Sequence, residues 1–305
     1  MKKQKAKISG NFFQRHPGFF LAAPFLVFFI TFVILPILIA IVLSFTNFNS
    51  VETPDFVGLQ NYIRIFSGDT VFSKNILPNT ILYACIVGPG GYILSFIMAW
   101  ILAQLTKGPR TVFAILLYSP SMTAGVAVAT VWRVIFSGER TGYLNYVLIK
   151  LGMIQEPISW LQSEKYLLPI MIIVALWSSM GIGFLSMLSG ITNVNQELYE
   201  AAYLDGVKNR FQEIIYVTIP SVRPQMLFGA VMAIVQTFNT VGLGVQLSGT
   251  NPTPGYAGSL VVNHIDDYGY IRYEMGYAAA LSVVFLIFIW VVSRVAYKLF
   301  GDQDS

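Results

Sequence analysis

The sequence has few charged residues and almost no cysteine. Charged side chains make up 11% of its 305 residues and hydrophobic ones 55%, whereas soluble domains carry about 25% charged residues. A soluble chain of this length could not cover so much apolar surface, so we predict that lipid surrounds most of it. Because Cys85 is the one cysteine, no disulfide can form within the chain. We interpret Cys85 as a small apolar filler.

The chain also lacks the residues that bind ATP phosphates or relay protons and ions. No Gly-Lys dipeptide occurs in it, so the phosphate-binding loop G-x-x-x-x-G-K-[ST] is absent. The centres of its long apolar runs hold no carboxylate and no histidine, which a proton- or ion-driven transporter would use as relay groups. We therefore expect a non-enzymatic chain that binds no metal and no cofactor and takes its energy from a partner.

Six long stretches without Asp, Glu, Lys or Arg organise the sequence. A helix needs about 20 apolar residues to cross the bilayer core, and each stretch is close to that length or longer. We predict an all-α polytopic membrane protein with six transmembrane helices. The predicted spans cover residues 19–45, 79–105, 111–136, 166–190, 221–248 and 275–299.

The distribution of Lys and Arg predicts both termini in the cytoplasm. In that orientation most of the 19 basic residues lie on the cytoplasmic side of the membrane, and the formal charge of +4 gives no reason to invoke nucleic acid. Residues 1–18 then form a basic cytoplasmic start, 19–300 the transmembrane domain and 301–305 a cytoplasmic tail. The predicted location is the cytoplasmic membrane.

Two local patterns predict structure within this frame. The stretch YLNYVLIKLG at 143–152 predicts a short helix at the outer membrane surface that Gly152 ends. The stretch Gly88-Pro89-Gly90-Gly91 in the second span predicts a kink or a close helix contact, since proline frees a carbonyl and glycine lets backbones approach.

One charged segment interrupts the apolar sequence between the fourth and fifth spans. It reads ELYEAAYLDGVKNRFQEIIYVTIPSVRP from Glu197 to Pro224. Asn195 is suited to cap a helix start, Gly206 is suited to end that helix in a left-handed conformation, and Pro220 marks the entry to the fifth span. The pattern predicts a cytoplasmic helix–turn–helix. It is either a docking surface for a soluble partner or a solvated amphipathic loop on the membrane.

This segment resembles the EAA loop of the inner-membrane permease subunits of bacterial ABC importers. The matching positions are a Glu-Ala-Ala triplet, a glycine four residues past the second alanine and a closing proline: Glu200, Ala201, Ala202, Gly206 and Pro220. The spacing from the glycine to the proline is one residue longer than in the commonest version. FVGLQNY at 56–62 and EMGYAAALS at 274–282 are similar to the carbohydrate-uptake, maltose-type branch, and the resemblance covers nearly the whole chain.

The resemblance implies a permease fold that rocks between inward-open and outward-open states. The loop at about 192–222 would seat a coupling helix in an ATPase groove, with coupling residues Glu200, Ala201, Ala202, Asp205, Gly206 and Pro220. The implied partners are a second related permease, two ATP-binding subunits that hold ATP and magnesium, and an extracytoplasmic solute-binding protein. The implied cargo is a sugar or oligosaccharide, and a non-sugar solute is the alternative.

Polar and aromatic residues deep in the spans are candidates for the substrate path. Sugars are recognised by hydrogen bonds to their hydroxyls and by stacking on aromatic faces. Gln236 shares a helix face with Asn239 and Thr240, and an unpaired amide in hydrocarbon is costly, so this face should look inward. The predicted path residues are Tyr83, Tyr118, Trp177, Gln236, Asn239 and Thr240. Alternatively, these groups bond neighbouring helices.

Three other classes of protein would show different patterns. A secondary transporter or channel would place ionisable residues on a span face, a membrane enzyme would cluster acid–base residues, and a scaffold would bind no ATPase. The one candidate cluster is His264, Asp266 and Asp267, just before the sixth span. We interpret it as a solvated turn rather than a metal or acid–base site.

Overall fold

The computed structural model describes residues 17–123, 125–238, 240 and 242–300. The predicted start at 1–18 therefore lies almost wholly outside the described residues, and so does the predicted tail at 301–305. Helices build nearly all of the described chain, and one isolated antiparallel bridge pairs Thr46 with Phe56. The all-α prediction is confirmed.

The helices follow one another with short connections. In chain order they are α1 Pro17–Phe29, α2 Leu35–Leu43, α3 Gln60–Ile63, α4 Leu77–Ala103, α5 Lys107–Met122, α6 Gly125–Ile135, α7 Tyr143–Lys150, α8 Leu167–Trp177, α9 Ile182–Thr192, α10 Gln196–Leu204, α11 Arg210–Glu213, α12 Ile219–Ser221, α13 Arg223–Phe238, α14 Leu243–Ser248, α15 Val261–Asp266 and α16 Met275–Phe300. Single π-helical turns lie at Ile30–Ile34, Arg64–Gly68, Phe72–Ile76, Ile214–Thr218 and Asp267–Ile271, and 3₁₀ turns at Trp160–Gln162 and Pro254–Tyr256.

Three straight segments are long and apolar enough to cross a bilayer alone: Ala22–Leu43, Phe72–Ala103 and Met275–Lys298. Three bent pairs meet the same criterion only when their two halves are taken together. These are α5 with α6, bent by 99°, α8 with α9, bent by 40°, and Arg210–Ser221 with α13, bent by 85°. The described chain thus has three spans, or up to six when each bent pair counts as one.

The predicted third, fourth and fifth spans are broken rather than continuous. The breaks fall between α5 and α6, between α8 and α9, and between α13 and α14. The prediction of one helical span over 221–248 is wrong in this respect. Gly242 has φ +76°, a left-handed conformation that an α-helix cannot continue through, so α13 ends at Phe238 and α14 begins at Leu243.

The helix α9 packs between α4 and α13, and glycines bring these backbones together. A Cβ atom added at Gly183 would lie 3.1 Å from the Cα of Gly229, and one added at Gly91 would lie 2.8 Å from the Cβ of Ser179. Small residues at such positions let membrane helices approach closely. The predicted contact at Gly91 is therefore present, while α4 continues through Pro89 without a break.

The first span leaves most of its apolar surface uncovered by the described part of the chain. None of the segment Ala22–Leu43 is buried, and α2 packs against α16. A helix that is hydrophobic all round is typical of a membrane environment, which agrees with the prediction that lipid surrounds it.

A buried polar cluster joins the connection after α3 to the end of the chain. The Asp69 carboxylate accepts hydrogen bonds from His264 Nε2 at 2.8 Å, from the Phe72 backbone N–H at 2.8 Å and from the Tyr277 hydroxyl at 2.9 Å. Both Asp69 and His264 have side chains that are 4% exposed. Burial would raise the pKa of Asp69, but these three bonds outweigh it and hold that pKa well below its ordinary value.

The expected solvated turn is therefore wrong for His264, whose ring packs against Phe72 and Tyr268. Its neighbour Asp267 pairs with Arg272 at 2.8 Å. Within the described ranges, no group of three or more His, Cys, Asp or Glu side chains could hold a metal ion.

Replacing Asp69 with alanine should destabilise the protein by about 1–3 kcal/mol, because it leaves buried hydrogen-bond donors such as the Tyr277 hydroxyl without their acceptor. Thermal unfolding in detergent measures this cost. Because the pKa of folded Asp69 is lowered, its stabilisation is complete above the ordinary pKa of about 3.9. This stabilisation is lost as pH falls through the pKa of Asp69 in the folded protein. The difference in stability between wild type and the variant should therefore become smaller in acid. Asp55→Ala, which removes an exposed carboxylate, should change stability by less than about 0.5 kcal/mol.

Candidate functional site

The three helix breaks converge on a single cavity of about 410 Å³, here called the central cavity. Each break contributes two residues to its wall: Thr123 with Gly125, Ser178 with Ser179, and Thr240 with Leu243. A helix end leaves backbone groups without helical partners, and in a membrane such groups are tolerated where they line a cavity or are buried in protein. The breaks therefore place polar backbone beside the cavity within the predicted spans.

The wall of the central cavity is polar but uncharged. Its polar side chains are hydroxyls and amides: Ser121, Thr123, Ser178, Ser179, Gln236, Thr237, Thr240 and Gln246. Among the described residues no Asp, Glu, Lys, Arg or His lines it, and Ala124, Asn239 and Val241, which fall in the breaks, are uncharged as well. An isolated charge is costly to bury without a partner, so this wall suits a neutral polar molecule.

Helix dipoles add no net charge at this place. Each break brings the C-terminal end of one helix beside the N-terminal end of the next: α5 beside α6, α8 beside α9 and α13 beside α14. The two ends carry partial charges of opposite sign. The breaks can therefore offer both hydrogen-bond donors and acceptors without favouring an anion or a cation.

The side chain of Gln236 links two of the breaks. Its Nε2 donates to the carbonyl oxygen of Ser178 at 3.0 Å, and a Cβ atom at Gly181 would lie 3.2 Å from its Oε1. One turn later, the Thr240 hydroxyl donates to the Gln236 carbonyl at 3.0 Å. A second amide, Gln246, lies against Gly125 of the first break. Gln246 is not among the predicted path residues, although the sequence shows it as an amide within an apolar run.

Two of the predicted path residues, Gln236 and Thr240, line the central cavity. The buried Tyr83 lies behind it, in a small cavity that also includes Thr240. Asn239 lies outside the described residues.

The two remaining aromatic candidates lie elsewhere. Trp177, the last residue of α8, packs edge-on against Trp132 with ring centroids 5.4 Å apart. Tyr118 lies in a different groove, beside Arg110 and Leu185. A role of these residues in the substrate path stays a prediction.

The charged segment forms the predicted helix–turn–helix, here called the elbow (192–222). The Asn195 side chain accepts a hydrogen bond from the Glu197 backbone N–H at 3.1 Å, as expected for a helix cap. Gly206 has φ +98° and ends α10 as predicted. The Asn209 side chain accepts from the Gln212 N–H at 2.9 Å and starts α11.

The first helix of the elbow, α10, and the turn after it expose most of their side chains. No residue of α10 is buried, and the apolar side chains of Leu204 and Phe211 are 90% and 70% exposed. The predicted coupling residues are exposed except for Ala202, which is partly buried. Large exposed apolar side chains mark interaction surfaces, and this exposure agrees both with docking of a soluble partner and with a loop that lies on the membrane surface.

A buried carboxylate, Glu213, fixes the shape of the elbow. It accepts hydrogen bonds from the Tyr203 hydroxyl and from Arg210 Nη1, both at 2.8 Å. The hydrogen bond to Glu213 raises the pKa of Tyr203. Because Tyr203 belongs to α10 and Glu213 to α11, the Tyr203 hydrogen bond ties these two helices together. The sequence analysis missed this role, although Arg210 and Glu213 have the i,i+3 spacing of a helical ion pair.

Comparison with known proteins identifies the family. Residues 91–301, which include the elbow and every wall residue of the central cavity named above, match the family of binding-protein-dependent transport system inner membrane components. The chain belongs to this family. Inner membrane components of this family are parts of transport systems and not ATPases, as predicted from the absent phosphate-binding loop.

Full-length relatives and solved structures agree with this inner membrane component family. The chain is 32% identical to the arabinooligosaccharides transport system permease protein AraP of Bacillus subtilis, over 92% of this chain and 87% of the relative. It is 28% identical to the lactose transport system permease protein LacF of Rhizobium radiobacter, over 90% and 91%. It is similar in fold to a crystallised bacterial ABC transporter for alginate import, with TM-score 0.78 and 21% identity over 96% of this chain and 98% of that one.

The predicted permease fold and membrane location are thereby confirmed. An inner membrane component of a binding-protein-dependent system works with partner proteins, which agrees with the expectation that this chain does not transport alone.

Proposed function

We propose that this inner membrane component is the permease subunit of an ATP-driven importer that carries a sugar or oligosaccharide by alternating access. It pairs with a second, related permease and receives its cargo from an extracytoplasmic solute-binding protein. The complex contains two ATP-binding subunits, which hold ATP and magnesium, and the elbow of this chain docks into a groove of one of them. Both termini of this chain lie in the cytoplasm.

The observation that carries the proposal is the uncharged, hydrogen-bonding wall of the central cavity. Neutral sugars present many hydroxyls and no charge, and hydroxyl and amide side chains such as Gln236, Thr240 and Gln246 can bond them as donors and acceptors. Similar proteins are named as transport or uptake permeases for arabinooligosaccharides, lactose and diacetylchitobiose. These names support the same class of cargo.

The geometry also supplies a route for mechanical work. The helix α13 begins at the 85° bend that ends the elbow and reaches the central cavity through Gln236. Its 16 residues make a rod of about 24 Å at 1.5 Å per residue. A push on the elbow would therefore tilt α13 and change the shape of the cavity at its other end.

Uptake into proteoliposomes tests the proposal. The chain is reconstituted with its partner permease, ATP-binding subunits and solute-binding protein, and radiolabelled arabinotriose, lactose and maltose are offered in turn. At least one saccharide should accumulate, in an ATP-dependent and binding-protein-dependent way. Accumulation of amino acids or of inorganic ions, with none of any saccharide, would contradict the assignment.

A further inference from the structure

A second cavity, of about 610 Å³, lies where the elbow meets the membrane helices. Its wall is formed by the end of α9, the start of α10 and the residues that lead into α13, including Ser186, Ser189, Asn193, Leu198, Ser221 and Gln225. None of these residues lines the central cavity. We call it the elbow cavity.

The wall of the elbow cavity has the same chemistry as that of the central cavity. Its polar side chains are hydroxyls and amides, and no charged residue is among its described lining residues. Val194 and Leu198 add an apolar portion on which the carbon face of a sugar ring could lie. Its volume lies in the range of about 300–1,000 Å³ usual for small-molecule sites.

One wall atom lacks a hydrogen-bond partner. The Oε1 of Gln225 is buried and accepts no hydrogen bond from the described residues. Gly190 lets this side chain lie against α9, since a Cβ atom there would come within 2.9 Å of the Gln225 Cγ. An unsatisfied buried acceptor is destabilising. Gln225 Oε1 is shielded in this structure, but the side chain is partly exposed, and a turn of its amide toward the cavity would offer this acceptor to a ligand hydroxyl.

We propose that the elbow cavity is a second binding site for a neutral polyhydroxylated solute of the same class as the cargo, and that its occupancy slows the transport cycle. The proposal rests on the proposed function for the identity of the cargo. The walls belong to the elbow and to two membrane helices, so the cavity changes shape when the elbow moves. A ligand that fits one shape better shifts the equilibrium toward it. A solute that fits the cavity as it is shaped in this structure would hold the elbow in this position, and accumulated product would then slow further import.

Direct binding is tested by protection of a thiol. Ser189, an exposed wall residue, is replaced by cysteine in a Cys85→Ser background, and maleimide labelling of the complete transporter in nanodiscs is timed. An excess of arabinotriose, lactose or maltose should slow labelling about fivefold or more, a typical coupling magnitude. An equal concentration of potassium glutamate should not. Unchanged labelling with all three sugars would overturn the site, whether or not the transporter imports sugars.

Inhibition is tested by ATP hydrolysis with saturating, sugar-loaded binding protein. Excess free sugar should lower the wild-type rate about fivefold and should leave Gln225→Leu unaffected. Leucine removes the unpaired acceptor without stranding a partner, so the uninhibited rate of this variant should stay near wild type. Gln104→Leu, at an exposed glutamine outside the cavity, should keep the inhibition. Equal inhibition of wild type and Gln225→Leu would refute the proposal. A failure of every sugar-loaded binding protein to stimulate hydrolysis would instead refute the proposed function.

Discussion

Replacing Gly206 with valine is expected to lower coupled uptake by at least about tenfold, because a β-branched residue is a conformational outlier at positive φ. Gly206 has φ +98°, and no atom lies within 4 Å of a Cβ built there. The substitution therefore acts through backbone strain rather than collision. A local cost of about 1–3 kcal/mol would reorient α10 against α11 and displace the exposed surface of the elbow, while the membrane helices remain folded.

The matched control is Gly152→Val. Gly152 also has a positive φ, +69°, with open space around its Cβ direction, but it ends α7 in the connection between α6 and α8. The Gly152→Val variant should introduce a similar backbone strain but should leave uptake coupled to ATP hydrolysis. Uptake and ATPase stimulation are measured for both variants in proteoliposomes. If Gly206→Val matches wild type in both assays, the elbow does not transmit the work of ATP hydrolysis.

Replacing Gln236 with leucine should also lower uptake by at least about tenfold, equivalent to about 1.4 kcal/mol, but by a different route. The side chain lines the central cavity and donates to the carbonyl oxygen of Ser178 at the second break. Leucine leaves that carbonyl without this donor and removes two hydrogen-bonding groups from the wall. The elbow is untouched, so the ATP-binding subunits should still copurify with the variant and hydrolyse ATP at the unstimulated rate.

Gln162→Leu separates loss of a structural bond from loss of a substrate contact. Gln162 Nε2 likewise donates to a backbone carbonyl, that of Ser248 at 2.5 Å, but it does not line the central cavity. Both variants should lose thermal stability, whereas only Gln236→Leu should change the substrate concentration at half-maximal uptake. Wild-type uptake by Gln236→Leu would remove this residue from the substrate path.

Local patterns in the sequence determined the membrane class and the helix ends within the elbow. Long runs without charged residues predict that lipid surrounds a segment, because this prediction needs only the composition of the segment. Asn195 caps α10 and Gly206 ends it, because capping and left-handed turns are decided within a few residues along the chain. The short helix α7 with Gly152 after it follows from the same rules, and the structure has it where the pattern predicts it.

Only the tertiary structure decided which polar residues meet. The partner of His264 is Asp69, 195 positions away, so nothing near His264 in the sequence indicated that its ring is buried. The three helix breaks hold small and hydroxyl residues that also occur inside unbroken membrane helices, and their convergence depends on how α9 packs against α4 and α13. The spacing of Gln236 predicted its helix face. Helix packing placed Gln236 opposite Ser178 and Tyr118 in a separate groove. Contacts between distant segments depend on the angles of the helix bends, and no local pattern specifies those angles.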